Sequence, residues 1–226
     1  MLKILKGDNA MKKLILSIAA IFVIGAAAFA QEKDYSTVDI GFTFPVTIQE
    51  NKNYNDAYSS TKAFGIYAEY YEDFTPMFGI TTHGFLYFAG HPDFYLNGHE
   101  VATFNGIFYS DDIIFPLGVS VNLMPTLNIP IGSIVELRFG AGIGFTYRAA
   151  LYDIPGDQIQ TSQWLFAIPV MAAVQLNFTD FIGLKAGCDV QFTFAGFEQI
   201  EDYDQTETID AFTTTILPYV GVVFMF

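Results

Sequence analysis

The scarce reactive side chains of this 226-residue sequence are three histidines and one cysteine. His91 and His99 fall near Ser110, Asp111 and Asp112 in the chain. A serine, a histidine and a carboxylate are the parts of a hydrolytic triad, whose base must reach its nucleophile by a hydrogen bond. No nucleophile motif or spacing accompanies them, so the sequence names no catalytic residue. Residues 195–210 carry Glu198, Glu201, Asp202, Asp204, Glu207 and Asp210. These oxygens suit a hard cation, yet the glycine that bends a calcium-binding loop is missing, which favours a solvated acidic loop. No metal site and no cofactor follow. Cys188 lies in an apolar segment and reads as a small apolar side chain.

Another set of polar residues interrupts the apolar segments themselves: Asp39, Glu69, His83, Glu136, Arg138, Gln175, Lys185 and Asp189. Their neighbours explain the placement. Eight segments alternate apolar with small or polar residues, at about residues 38–48, 64–70, 78–88, 113–123, 135–147, 164–178, 182–194 and 212–226. Each is about as long as a tilted strand needs to cross a hydrocarbon layer, about 9–11 residues. The charged residues all fall on the non-apolar phase. That phase is otherwise rich in Gly, Ala and Thr and nearly free of Lys and Glu, unlike a water-facing sheet. It suits a narrow lumen, where buried charges must pair.

Connections alternate in length. Short or medium turns are expected near 72–76, 124–132 and 177–180, and long polar loops at 49–60, 90–106, 149–163 and 195–210. Within 90–106, Asn97-Gly98 predicts a tight hairpin. Aromatics gather at both ends of the apolar phase. Phe64, Phe88, Phe145, Tyr147, Trp164, Phe166, Phe194 and Phe212 lie at the loop ends, and Tyr70, Phe78, Phe178, Phe224 and Phe226 at the turn ends. Pro45, Pro116, Pro169 and Pro218 sit inside strands, where a proline cannot donate to the ladder, and are expected to mark bulges or local breaks.

Residues 1–30 stand apart. Lys12 and Lys13, an apolar run and Ala28-Phe29-Ala30 read as a cleaved secretory signal, with Met11 as the true start and residues 1–10 a misassigned extension. The mature domain is then 31–226. Removing four lysines and Asp8 takes the net charge from −14 to −17, which makes nucleic acid an unsuitable partner. High aromatic content without a second long apolar run excludes both disorder and helical membrane spans.

The expected fold is all-β: an eight-stranded antiparallel up-and-down transmembrane β-barrel behind a cleaved signal peptide. The signal, the apolar-Pro pairs at Phe115-Pro116, Ile168-Pro169 and Leu217-Pro218, and the terminal alternation Val220, Val222, Phe224, Phe226 resemble the small outer-membrane barrels of the OmpA, OmpX and OmpW type. The resemblance implies the outer membrane of a diderm bacterium, a lipid surround, and recognition of the terminal residues by the barrel-insertion machinery. It also implies several roles: a scaffold whose four loops, here acidic, meet an extracellular ligand; a narrow channel for small or apolar solutes; or a lipid-modifying enzyme. The closed lumen expected from the charge pattern favours the non-enzymatic scaffold.

Overall fold

A computed structural model of the chain describes residues 36–50, 57–101, 103–104, 108–109, 113–154, 157–200, 205–208 and 213–226. The expected signal, residues 1–30, lies outside them. Eight staves form a closed antiparallel ring. They are β1 (Ser36–Thr43) with β2 (Val46–Glu50), then β3 (Ala57–Thr75), β4 (Phe78–Ala89), β9 (Ile113–Ile131), β10 (Val135–Ala141) with β11 (Ile143–Ile154), β12 (Asp157–Asn177), β13 (Ile182–Ile200) and β15 (Thr213–Met225). Each stave pairs with the next, and β15 pairs back onto β1 and β2. The first and last staves meet at their ends: Ser36 of β1 and Phe226, next after β15, exchange backbone N–H···O bonds of 3.1 Å.

Alternation is converted directly into two faces. Outward side chains such as Ile40 (55% exposed) and Ile168 (50%) form an apolar wall, while Asp39, Glu69, Arg138 and Lys185 are buried inside. A wall this apolar is an aggregation hazard in water. In lipid it is matched, because a closed ring leaves no backbone edge unpaired in the hydrocarbon. Aromatics ring both ends: Phe42, Phe44, Phe64, Phe88, Phe166 and Phe194 at one, Tyr70, Phe78, Phe178, Phe224 and Phe226 at the other. Phe212 lies outside the described residues.

Several boundaries differ from expectation. The loops at 90–106, 149–163 and 195–210 are largely strand. β11 and β12 pair as far as Ile154 and Asp157, β13 runs to Ile200, and β14 (Gln205–Thr208) pairs with its end. β5 (Asp93–Leu96) and β6 (His99–Val101) form a hairpin on the end of β3. Its turn is Asn97-Gly98, with φ of 52° and 77°, the positive values a two-residue hairpin turn requires. A small separate ladder joins β7 (Thr103–Phe104) to β8 (Phe108–Tyr109). Polar composition therefore marks where the wall leaves lipid, not where strands end. The turn expected at 124–132 is likewise strand. β9 continues through Pro125 and Pro130, with Met124, Thr126 and Asn128 facing inward, and turns only after Ile131. β3 reaches Thr75 before its turn at Pro76-Met77.

The prolines act as breaks and bulges. Pro45 separates β1 from β2. Phe115 and Pro116 together oppose Ala150, a bulge in β9. Pro169 and Pro218 stay within β12 and β15, and the break falls on the neighbouring stave. Gly142 donates to Pro169 O between β10 and β11, and Phe44 donates to Pro218 O between β1 and β2, both at 3.1 Å. A further bulge at Phe194 flips the phase of β13, so Phe197 joins the outer aromatics and Glu198 does not.

Candidate functional site

The inward phase fills the barrel. β1 supplies Asp39, β3 Glu69, β4 His83, β10 Glu136 and Arg138, and β13 Lys185 and Asp189. All seven are buried, Glu136 least so at 9% exposed. Register brings the first three together, since Glu69 sits directly opposite both Asp39 and His83.

Glu69 is the hub. Lys185 Nζ donates to both of its carboxylate oxygens, and His83 Nε2 bonds to Oε2. Arg138 Nη1 donates to Oε1 (3.3 Å) and to Thr37 Oγ1 (3.2 Å), and its Nη2 donates to Glu136 Oε2 (3.2 Å). The Arg138 guanidinium also lies 3.9 Å from the centre of the Tyr71 ring, a cation–π contact. On its other side His83 Nδ1 lies 2.9 Å from Asp189 Oδ2. A neutral imidazole donates from one nitrogen only, so donating to carboxylates on both sides requires the imidazolium. Three cations then face four carboxylates. Glu136 is the one nearest water, with 12% of its side chain exposed, and Asn177 donates to it at 2.9 Å.

The network continues toward the loop end. Asn122 donates to Asp189 Oδ2 (2.8 Å), and Gln191 donates to Asn122 Oδ1 (2.7 Å) and Ser120 Oγ (2.6 Å). Above it, Arg148 donates to Gln163 Oε1 through Nε (2.9 Å) and to Gln49 Oε1 through Nη2 (3.0 Å). Gln163 and Thr161 in turn donate to Glu198 Oε1 (3.2 and 2.6 Å). Gln175, also expected inward, is buried and donates to Asn177 Oδ1 at 2.7 Å.

The sequence reading missed the aromatic middle of this plug. Tyr67, Phe85, Tyr87, Leu217 and Tyr219 pack together inside the barrel. The available signal was the inward glycines, which make room for rings. A Cβ on Gly118 would come within 2.1 Å of the Tyr87 ring, and one on Gly187 within 2.4 Å of the Tyr219 hydroxyl. Arg148 was also missed, because it lies beyond the last strand residue expected there.

The other candidates fall only in part among the described residues. His91 and His99 are exposed, while Ser110, Asp111 and Asp112 lie outside the described residues. So do Glu201, Asp202, Asp204 and Asp210 of the acidic segment. Among the described residues no group of three or more His, Cys, Asp or Glu is placed to hold a metal. Val220, Val222, Phe224 and Phe226 all face outward near the turn end.

No family model matches this sequence, and comparison with curated proteins finds no match. Solved structures share its shape. The outer membrane protein OprG from Pseudomonas aeruginosa superposes with a TM-score of 0.54 at 10% identity, covering 87% of this chain and 98% of that one. Ail, the attachment invasion locus protein of Yersinia pestis, in complex with the heparin analogue sucrose octasulfate, gives 0.50 at 13% identity, covering 86% and 100%. At such identities the likeness is one of fold. The fold is that of the small outer-membrane β-barrels.

Proposed function

We propose that this chain is a non-enzymatic scaffold in the outer membrane of a diderm bacterium, anchored in lipid by its barrel and presenting its extended strands and acidic loops to an extracellular ligand. The observation that carries this reading is the plug. Paired charges around Glu69, packed aromatics from Tyr67 to Tyr219, and the Arg148 network occupy successive levels of the lumen. Eight strands enclose a bore that side chains just fill, so no path for solute follows from the geometry. Nor do the described residues bring a nucleophile to a base at a lipid-facing position. In this reading Val220, Val222, Phe224 and Phe226 are the signal for the barrel-insertion machinery. The test is reconstitution of the mature chain into liposomes. Swelling in small sugars should match that of empty liposomes, and phospholipid and glycolipid should be recovered unmodified. Solute uptake, or a new lipid product, would overturn the scaffold reading.

A further inference from the structure

Asp39 is fully buried in the lumen, yet among the described residues none donates a hydrogen bond to either of its carboxylate oxygens. The buried hydroxyls of Tyr67 and Tyr219 have no hydrogen-bond partner there either. The two tyrosine rings pack with centroids 4.7 Å apart. Glycines on the facing strands admit these oxygens. A Cβ on Gly221 would come within 2.5 Å of the Tyr67 hydroxyl and 2.7 Å of Asp39 Oδ1, so both oxygens converge on one bare stretch of β15. The Tyr219 hydroxyl lies over Gly187 of β13 in the same way, 2.4 Å from where a Cβ would stand. Register makes these positions neighbours: Gly221 pairs with Gly41 of β1 and with Lys185 of β13, and Gly187 pairs with Tyr219.

The nearby cations are committed elsewhere. Lys185 Nζ donates to both oxygens of Glu69, and His83 bridges Glu69 and Asp189. Arg138 donates to Glu69, Glu136 and Thr37. With His83 as the imidazolium, three cations face four carboxylates. Glu69, Glu136 and Asp189 each accept from a cation, and Asp39 is the one left over. A buried oxygen without a partner is costly, and a buried carboxylate far more so unless its charge is met. A water molecule would satisfy the hydroxyls and leave the charge. A divalent ion would overshoot the single surplus charge, and calcium asks for about six to eight oxygens. One monovalent cation meets both demands. It balances the charge, and carboxylate and phenol oxygens are hard ligands suited to it.

We propose that Asp39, Tyr67 and Tyr219 hold one alkali-metal cation inside the plug, with Asp39 as the anionic ligand and the two phenol oxygens completing the cradle. The cation is then a structural part of the lumen, taken up as the barrel closes. The inference rests on the reading of a closed lumen, which liposome swelling tests on its own. An open lumen shows as swelling, and a missing cation site does not, so failure of either can be told from failure of the other.

The full mature chain is folded into detergent in sodium, potassium or N-methyl-D-glucamine chloride at equal ionic strength. Unfolding in urea is followed by the fluorescence of Trp164. The organic cation is too bulky for the cradle. Wild type should be more stable in at least one alkali salt, and its midpoint should rise with the logarithm of that cation's concentration, as binding to the folded state alone requires. Asp39→Asn keeps the shape and removes the charge, and should have one midpoint in all three salts. Tyr67→Phe keeps the ring and removes one ligand oxygen, and should need about tenfold more salt for the same stabilisation. Mobility on an unboiled gel confirms that each variant is folded. Equal wild-type midpoints in the three salts overturn the proposal, as does a salt preference that survives in Asp39→Asn or is undiminished in Tyr67→Phe. An infrared carbonyl band of a protonated carboxylic acid, present in wild type and lost in Asp39→Asn, also overturns it, because Asp39 then carries a proton in place of the ion.

Discussion

Glu69→Gln keeps the shape of the side chain at the centre of the lumen and removes its charge. In the wild-type barrel this carboxylate faces Lys185, His83 and Arg138, and no atom of the four side chains is open to solvent. Opposite charges about 4 Å apart attract by about 4 kcal/mol at an effective dielectric of about 20, and each has lost its water. Removing one partner of a buried pair costs about 3–5 kcal/mol. Three cations lose the same acceptor here, so the substitution should fall near the upper end, about 5 kcal/mol. Adding Lys185→Met removes the buried ammonium whose carboxylate partner has gone and should recover about half of that loss, because contacting sites are not additive. The assay is urea unfolding in detergent, followed by fluorescence of Trp164. It is the single tryptophan, and it packs against Phe145, Tyr147 and Phe197 in the outer belt. A Glu69→Gln barrel within about 1 kcal/mol of wild type would refute the reasoning, as would a double variant less stable than the single one.

Gly118→Ala forces a Cβ to within 2.1 Å of the Tyr87 ring and should cost about 1–3 kcal/mol, while Tyr87→Leu in the same chain should restore the folded band on an unboiled gel. Deleting Phe226, or replacing it with Ser, should lower outer-membrane levels without changing removal of residues 1–30, as read by N-terminal sequencing at Gln31; normal levels would reduce the terminal alternation to a strand end. An epitope inserted near Asp204 should be labelled on intact cells and one near Thr179 should not, and reversed labelling would invert the topology.

Strand number and facing were legible because a side chain in a barrel wall has only two environments, lipid or lumen. Period-two alternation from Val38 to Phe226 reports that choice residue by residue. The seven lumen charges were legible for the same reason: a charge inside an apolar alternation has one face available to it. Strand ends were not legible. The alternation signal depends on contrast between lipid and lumen, and it fades where both faces are polar, as in β12 from Asp157 to Gln163, or where both are small and apolar, as at Ala149 and Ala150 of β11. Prolines misled at 124–132 because Pro125 and Pro130 look like turn residues, whereas β9 carries both within its ladders. The bulge at Phe194 was invisible because one extra residue leaves no mark on composition, yet it decides which way Phe197 and Glu198 face. The aromatic plug was legible only in part: Tyr67, Tyr87 and Tyr219 fall on the lumen phase of the alternation, but their packing together shows only once the glycines on facing strands are placed against them.

The central claim is a lumen closed by its own side chains, and single-barrel recording in planar bilayers tests it most directly. Wild type, with Glu69 bound to three cations and Arg148 bridging to Gln49, should add no steady conductance to the bare membrane. The same should hold after deletion within residues 51–56 and 201–204, because the plug lies within the wall. A stable, reproducible channel in wild type that survives that truncation would contradict the plug and make transport the leading function.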